Sequence, residues 1–276
     1  MTGYIGKQIR LGRMFSNNTG RAICLAFDHG MMLGPIQGFE DPGRIIDYAL
    51  EADLDGIILT PGMLSKFADR FSSKQAPSVI LRLDQTSMWR APEQLGYQHN
   101  HNRLIASVED AVALGVDAVI TYLFVGHLDS TIEAENFEIY ASVAAQCRKL
   151  GILHVVETMA ARNGQADNVF DPRHVAMHTR IGAELGADII KTDWSGDTDS
   201  FSRIVNTTQA PILVAGGASI GNDNEVLQLA SDVVSSGAAG ILFGRNIVQS
   251  SKPLQLMRAL RAVVHDNARP EELNLD

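Results

Sequence analysis

The sequence predicts an α/β fold, a single closed (β/α)8 barrel of the TIM-barrel type, on three observations. Short runs rich in Ile, Val and Leu recur at near-regular intervals. Longer segments with helical spacing separate them, the alternation of a parallel sheet wrapped by helices. The chain has 276 residues, close to the size of one barrel, and 45% hydrophobic residues, enough for one large core. One domain spanning 1–276 is therefore expected.

Taken in order, residues 1–22 are expected to form a short helix and turn that close the bottom of the barrel. Apolar runs then place strands at 23–27, 56–59, 79–83, 118–122, 153–156, 188–190, 212–215 and 240–243. Helical spacing places helices at 42–51, 107–114, 133–150, 172–185, 199–205, 224–236 and 253–264. Three helix ends share one pattern, Leu114-Gly115, Leu185-Gly186 and Ser236-Gly237, each followed within a few residues by a strand. A glycine able to adopt positive φ terminates such a helix. The connection 84–103 breaks the rhythm. It carries Trp89, Pro92, Tyr97, His99 and His101 without helical period, and a long irregular connection after a barrel strand usually covers an active site. The polar stretch 266–276, with Pro270, is expected to fray or to pack on a neighbouring subunit.

Composition narrows the partners. The formal net charge is −9 and no Lys/Arg cluster tracks a helix or loop, which argues against nucleic acid. Only Cys24 and Cys147 are present, so neither a disulfide framework nor a zinc–thiolate site is expected. No signal-peptide stretch or long apolar span is visible, and a soluble protein of a reducing cytoplasm, without membrane partners, is expected.

In a parallel barrel, reactive groups sit at the C-terminal ends of strands. Lys191 follows Asp188-Ile189-Ile190 and emerges into the barrel mouth. A lysine amine attacks a carbonyl only when neutral, and a poorly solvated site disfavours the ammonium form. The alternative is a loop-holding ion pair with Asp28 or Asp193. Asp28 ends strand one, where it can orient Lys191 and carry protons, or simply pair with Lys191 or Arg245. His29 can hold a substrate hydroxyl or be a hydrogen-bonded turn residue. Glu157 and Tyr122, at the ends of strands five and four, can each move a proton at the reacting carbon or be wall residues. Gly216-Gly217 and Gly244-Arg245 end strands seven and eight, where many barrels bind phosphate. Glycine lets backbone N–H groups approach an anion, a following helix start at 218–221 or Asn246 adds polarity, and the arginine adds a clamp. His99 with His101, and His174 with His178, have ligand-like spacing, but no acidic or thiol partner completes either set, so no metal site is assigned.

Leu25-Ala26-Phe27-Asp28-His29-Gly30, Gly34-Pro35-Ile36-Gln37-Gly38, Ile189-Ile190-Lys191-Thr192, Ala215-Gly216-Gly217 and Gly244-Arg245-Asn246-Ile247 together resemble the archaeal-type class I aldolase group. That group comprises archaeal-type fructose-bisphosphate aldolases, aminodideoxyheptulosonate synthases and the phospho-autoinducer-2 thiolase. The resemblance implies that Lys191 forms the Schiff base, that Asp28 assists, and that Gly216, Gly217, Gly244 and Arg245 hold phosphate. It also implies a metal-independent reaction with no cofactor, a small phosphorylated carbonyl substrate, and a homo-oligomer of the kind that often forms decamers in this group. One departure stands out. The aldolase and synthase branches carry a tyrosine just past strand five as proton carrier, whereas this chain reads Glu157-Thr158-Met159-Ala160-Ala161-Arg162. Thr158-Met159-Ala160 is closer to the thiolase branch, and Lys191-Thr192-Asp193-Trp194-Ser195-Gly196-Asp197 is closer to the synthase. If Glu157 replaces the phenol, the substrate or the proton transfer differs from that of fructose-bisphosphate aldolase. The expectation is carbon–carbon cleavage or formation on a phosphorylated ketose or related compound. Acyl transfer from a phosphorylated diketone to coenzyme A, and a sugar-phosphate sensor without turnover, are the competing readings.

Overall fold

The computed structural model describes residues 2–96, 101–162, 164–273 and 275. Eight parallel strands close into a barrel in sequential order: β1 Ala22–Ala26, β2 Gly56–Leu59, β3 Ser78–Arg82, β4 Ala118–Val125, β5 Leu153–Ala160, β6 Ile189–Thr192, β7 Ile212–Ala215 and β8 Gly240–Phe243. Closure is made by β1, which pairs with both β2 and β8. Helices alternate with the strands on the outside, and the strands are buried on both faces. That is why they read as continuous apolar runs without polar alternation.

Two packed layers follow. Val79, Leu81, Val119, Val156 and Ile190 point outward into the core shared with the helices. Ala22, Cys24, Ile80, Ile120, Val155, Ile189 and Leu213 point inward and fill the barrel. The helix Thr2–Met14 closes the bottom: Met14 is fully buried in the inner cluster, Lys7 pairs with Asp188 at 2.6 Å, and Arg13 pairs with Asp117 at 3.0 Å. Gly115, Gly186 and Gly237 take positive φ after their helices, as the repeated pattern predicts.

Several expectations need correction. β4 and β5 run eight residues each, to Val125 and Ala160, past the ends expected at Tyr122 and Val156. The polar side chains interrupt the apolar run but not the ladder, which pairs the two strands along their whole length. The turn expected at His29 is the start of a short helix, His29–Leu33. The described part of the terminal stretch packs on its own chain. Pro270–Glu272 forms a 3-10 turn, Leu273 and Leu275 pack on this chain's own core, and Lys252 Nζ donates to the Leu275 carbonyl at 2.7 Å. Among the described residues no helix is long and apolar enough to cross a membrane.

Candidate active site

Alternate residues of a strand face opposite sides of the sheet, so strand parity decides which side chains enter the barrel. On β6, Ile189 faces inward, and Lys191 and Asp193 follow it two residues apart toward the mouth. Val155 on β5 is followed by Glu157 and Met159, and Ile120 on β4 by Tyr122 and Phe124. On β1, Ala26 precedes Asp28, and on β3, Ile80 precedes Arg82. The register sets Tyr122 beside Glu157 and Glu157 beside Lys191. A ring of polar groups thus caps the apolar filling of the barrel.

At the centre of this ring, Lys191 Nζ lies 2.6 Å from Glu157 Oε1. Arg82, fully buried, donates from Nε to Asp28 Oδ2 at 2.7 Å, from Nη1 to Asp84 Oδ1 at 3.3 Å, and from Nη2 to Glu157 Oε2. Its guanidinium also lies 4.0 Å from the centroid of the Tyr122 ring. Asp84 accepts the backbone N–H of Tyr122 at 2.7 Å. The partners expected for Lys191 and Asp28 are therefore wrong in detail. Lys191 pairs with Glu157 instead of Asp28 or Asp193, and Asp28 pairs with Arg82 instead of Lys191 or Arg245. The reason is the barrel curve, which brings β3 across to β1 and lets one guanidinium reach three carboxyl groups.

These contacts set the protonation states. Burial pulls the Asp28 carboxyl upward, but Arg82 and Lys191 outweigh it and hold Asp28 down at about 2. Glu157 experiences the same contest between burial and the cations Lys191 and Arg82, and is also held low. Burial pushes Asp84 up to about 7 and Asp193 up to about 6, in each case against nearby guanidinium groups. Burial raises the Tyr122 phenol well above its ordinary range, so it stays neutral. Burial lowers His29 to about 4. The imidazole is therefore neutral, and its Nδ1, 3.8 Å from Asp28 Oδ1, is buried without a hydrogen-bond partner.

A cavity of about 160 Å3 opens above this array and is lined by Lys191, Asp28, Glu157, Tyr122, His29, Gly216, Gly217, Gly244 and Arg245, while Arg82 and Asp84 lie beneath it. At its β7–β8 side, Gly217 adopts φ 69°, and Gly244 is packed so closely that a Cβ would sit 2.8 Å from the Ala26 carbonyl oxygen. Arg245 Nε is buried without a hydrogen-bond partner. The anticipated helix start at 218–221 is a loop, because the following helix begins at Asp223, capped by Asn222. The second expected helix start is present: a short helix runs Arg245–Val248 after Gly244, with Asn246 in its first turn. The Asn246 amide bridges the loop, accepting from Ile220 N at 2.8 Å and donating to the Gly216 carbonyl at 2.6 Å.

Over the cavity, the 84–103 connection supplies Met88 and Trp89. Trp89 Nε1 donates to the Tyr122 hydroxyl at 3.2 Å, the hydroxyl donates to Met32 Sδ at 2.8 Å, and the Arg162 guanidinium lies 4.5 Å from the Trp89 ring centroid. Tyr97 and His99 lie outside the described residues. His101 is bound to Glu135 at 3.0 Å, away from the cavity, His174 to the Asn168 carbonyl, and His178 to Thr158. Among the described residues no cluster of His, Cys, Asp and Glu has a ligand set.

Sequence reasoning passed over Arg82, Asp84 and Arg162. Arg82 had a signal: it stands at an inward parity between the apolar run Val79-Ile80-Leu81 and Leu83, where a charge is costly unless paired. Arg162 had none, since it reaches the cavity from a turn.

Comparison with known proteins agrees with this geometry. The family model described as DeoC/LacD family aldolase matches residues 22–250. An uncharacterized aldolase of Saccharolobus solfataricus is 34% identical over 264 residues, covering 96% of both chains. A 2-amino-3,7-dideoxy-D-threo-hept-6-ulosonate synthase of Halobacterium salinarum is 35% identical over 266 residues, covering 96% of this chain and 94% of its own. Among solved structures, an archaeal fructose 1,6-bisphosphate aldolase superposes with a TM-score of 0.82 at 30% identity, covering 94% of this chain and 98% of that one. An archaeal fructose-1,6-bisphosphate aldolase whose catalytic lysine is covalently bound to the carbinolamine intermediate gives 0.81 at 30% identity, covering 93% and 98%. The matched span includes all eight barrel strands. This chain belongs to the DeoC/LacD aldolases, an enzyme of carbon–carbon bond chemistry rather than a thiol acyl transferase or a sensor.

Proposed function

We propose that Lys191 is the Schiff-base nucleophile and that the substrate is a small phosphorylated ketone or ketose. The observation that carries this is the amine of Lys191, 5% exposed at an inward position of β6, facing the cavity and held 2.6 Å from the Glu157 carboxylate. Glu157, held low by the same two cations as Asp28, orients the Lys191 amine, which gives up its proton to solvent and adds to the donor's carbonyl carbon. The carbinolamine then loses water, and the iminium draws electrons from the carbon–carbon bond being cleaved or formed. Asp28, held ionised by Arg82, stabilises the cationic iminium electrostatically rather than shuttling protons. Among the carboxyl groups that line the cavity, Asp193 is the one matched to proton exchange with a substrate hydroxyl near neutral pH, because burial places it at about 6. Tyr122, whose proton is engaged by Met32, shapes the wall instead.

The donor's phosphate is held by Arg245 with the backbone of Gly216, Gly217 and Gly244, and Arg162 adds a second guanidinium at the same side of the cavity. His29, neutral and with an unfilled Nδ1, is placed to hydrogen-bond a donor hydroxyl. The chain assembles as a homo-oligomer, and exposed Tyr4, Ile5 and Ile9 on the first helix are suited to such a contact.

Borohydride trapping tests the assignment. With dihydroxyacetone phosphate the reduced adduct is expected on Lys191, and Lys191→Met is expected to lose both adduct and turnover, by at least about a thousandfold in kcat. An adduct that persists in K191M, or turnover within tenfold of the parent, overturns the assignment.

A further inference from the structure

Two cations share one carboxylate in the polar ring. Glu157 accepts from Lys191 Nζ at Oε1, 2.6 Å away, and from Arg82 Nη2 at Oε2, while the same guanidinium donates from Nε to Asp28 at 2.7 Å. The two cations are not equivalent. A guanidinium keeps its charge at any working pH, whereas an ammonium can give up a proton. The other titratable groups around Lys191 are Asp28 and His29 at the end of β1, Asp84 after β3, Tyr122 on β4 and Asp193 after β6, with Arg162 and Arg245 on the cavity lining. Burial keeps His29 and Tyr122 neutral. Among the described residues, Arg82 is the one cation hydrogen-bonded to both Asp28 and Glu157.

During a Schiff-base reaction the charge at position 191 comes and goes: ammonium at rest, then neutral amine and carbinolamine, then cationic iminium. Asp28 and Glu157 are both buried. In the neutral stages a carboxylate paired with the lysine alone would be left without a counter-charge, which is costly in a buried site. Arg82 remains bonded to both carboxylates through those stages, so neither is stranded when the ammonium loses its proton. Its positive charge also opposes the ammonium form of its neighbour and leaves the amine untouched.

We propose that Arg82 is a positioning residue of the reaction, a fixed counter-charge that lets Lys191 give up its proton while Asp28 and Glu157 stay paired. The proton of the ammonium passes to solvent, and the freed lone pair forms the C–N bond to the donor's carbonyl carbon. A nitrogen proton then moves to the carbonyl oxygen, and the resulting hydroxyl takes one further proton and leaves as water, giving the iminium. Arg82 does not line the cavity and acts only through the two carboxylates and its charge. This role rests on the Schiff-base reading of Lys191 and deepens it.

The test follows the initial rate of adduct formation on Lys191 in the full chain with dihydroxyacetone phosphate and cyanoborohydride, mapped by peptide mass spectrometry, between about pH 6 and about pH 10. In the parent the rate rises along an acid limb as the amine is freed. Arg82→Met is expected to move that limb upward by about 1–2 pH units, and Arg82→Lys, which restores the charge, to bring it back to within about half a unit. Arg82→Gln, neutral but still a hydrogen-bond donor, serves as the second variant if R82M does not fold. A purely structural role would lower the rate at every pH and leave the limb in place. An adduct on Lys191 in the parent, together with a limb unmoved in the folded neutral variant or moved by about a unit or more in R82K, overturns the role of Arg82 and leaves the lysine assignment standing. Failure of the parent to form an adduct on Lys191 overturns the lysine assignment and the role of Arg82 with it.

Discussion

Arg82 holds three carboxyl groups on one guanidinium inside the barrel, with Asp28, Asp84 and Glu157 each hydrogen-bonded to a different nitrogen. A lysine would supply the charge but not the rigid fork that reaches three partners at once. Removing the cation leaves buried Asp28 and Asp84 without their guanidinium partner and Glu157 with Lys191 alone, which costs far more than losing a surface pair would. Arg82→Met is therefore expected to lower stability by about 3–5 kcal/mol, read from urea unfolding midpoints. A loss under about 1 kcal/mol would mean that water or a proton compensates the carboxylates and that the array is not held by this residue.

At the scale of elements, the turn after β8 meets the start of the helix after β1. Gly244 packs against His29 and the Ala26 backbone, and a Cβ there would lie 2.4 Å from His29 Cε1 as well as 2.8 Å from the Ala26 carbonyl oxygen. The imidazole can rotate away, but the carbonyl is fixed in the β1 ladder. Gly244→Ala is thus expected to cost about 1–3 kcal/mol through overpacking and to raise KM for a phosphorylated donor, because Arg245 is carried on the same turn. Unchanged thermal unfolding together with unchanged KM would show that the turn moves freely. The β4–β5 pair plays the complementary part: its long ladder carries Tyr122, Phe124, Glu157 and Met159 beyond the apolar filling and into the cavity.

For the whole molecule, pH couples to stability through groups far from the reaction. His154, bound to Thr121, and His178, bound to Thr158, are buried between barrel and helices, and burial lowers each to about 3. An unfolded chain binds a proton at each histidine below about pH 6.5, whereas the folded chain does not until about 3. Unfolding therefore takes up protons in that window, and each histidine makes stability fall with falling pH. Asp84 and Asp193 are raised and act in the opposite sense, so the signature is a difference between variants. Relative to His178→Gln, the parent chain is expected to lose about 1.4 kcal/mol per pH unit below about pH 6.5, measured by urea unfolding at pH 7, 6 and 5. Parallel pH profiles would show that His178 is protonated in the folded state.

The chain's own pattern determined the barrel, since eight apolar runs separated by helical segments admit few other architectures. It also singled out Lys191, Asp28, Glu157 and the glycine turns, all of which line the cavity, because polar groups at strand ends stand out against apolar neighbours. Tertiary structure decided the partnerships. Whether Lys191 meets Asp28 or Glu157, and whether Arg82 points to solvent or into three carboxyl groups, depends on strand register and barrel curvature, and no local pattern encodes either. Met32, Met88 and Met159 escaped for the same reason: they are separate in sequence and ordinary one by one, and only closure of the barrel brings them together at the cavity.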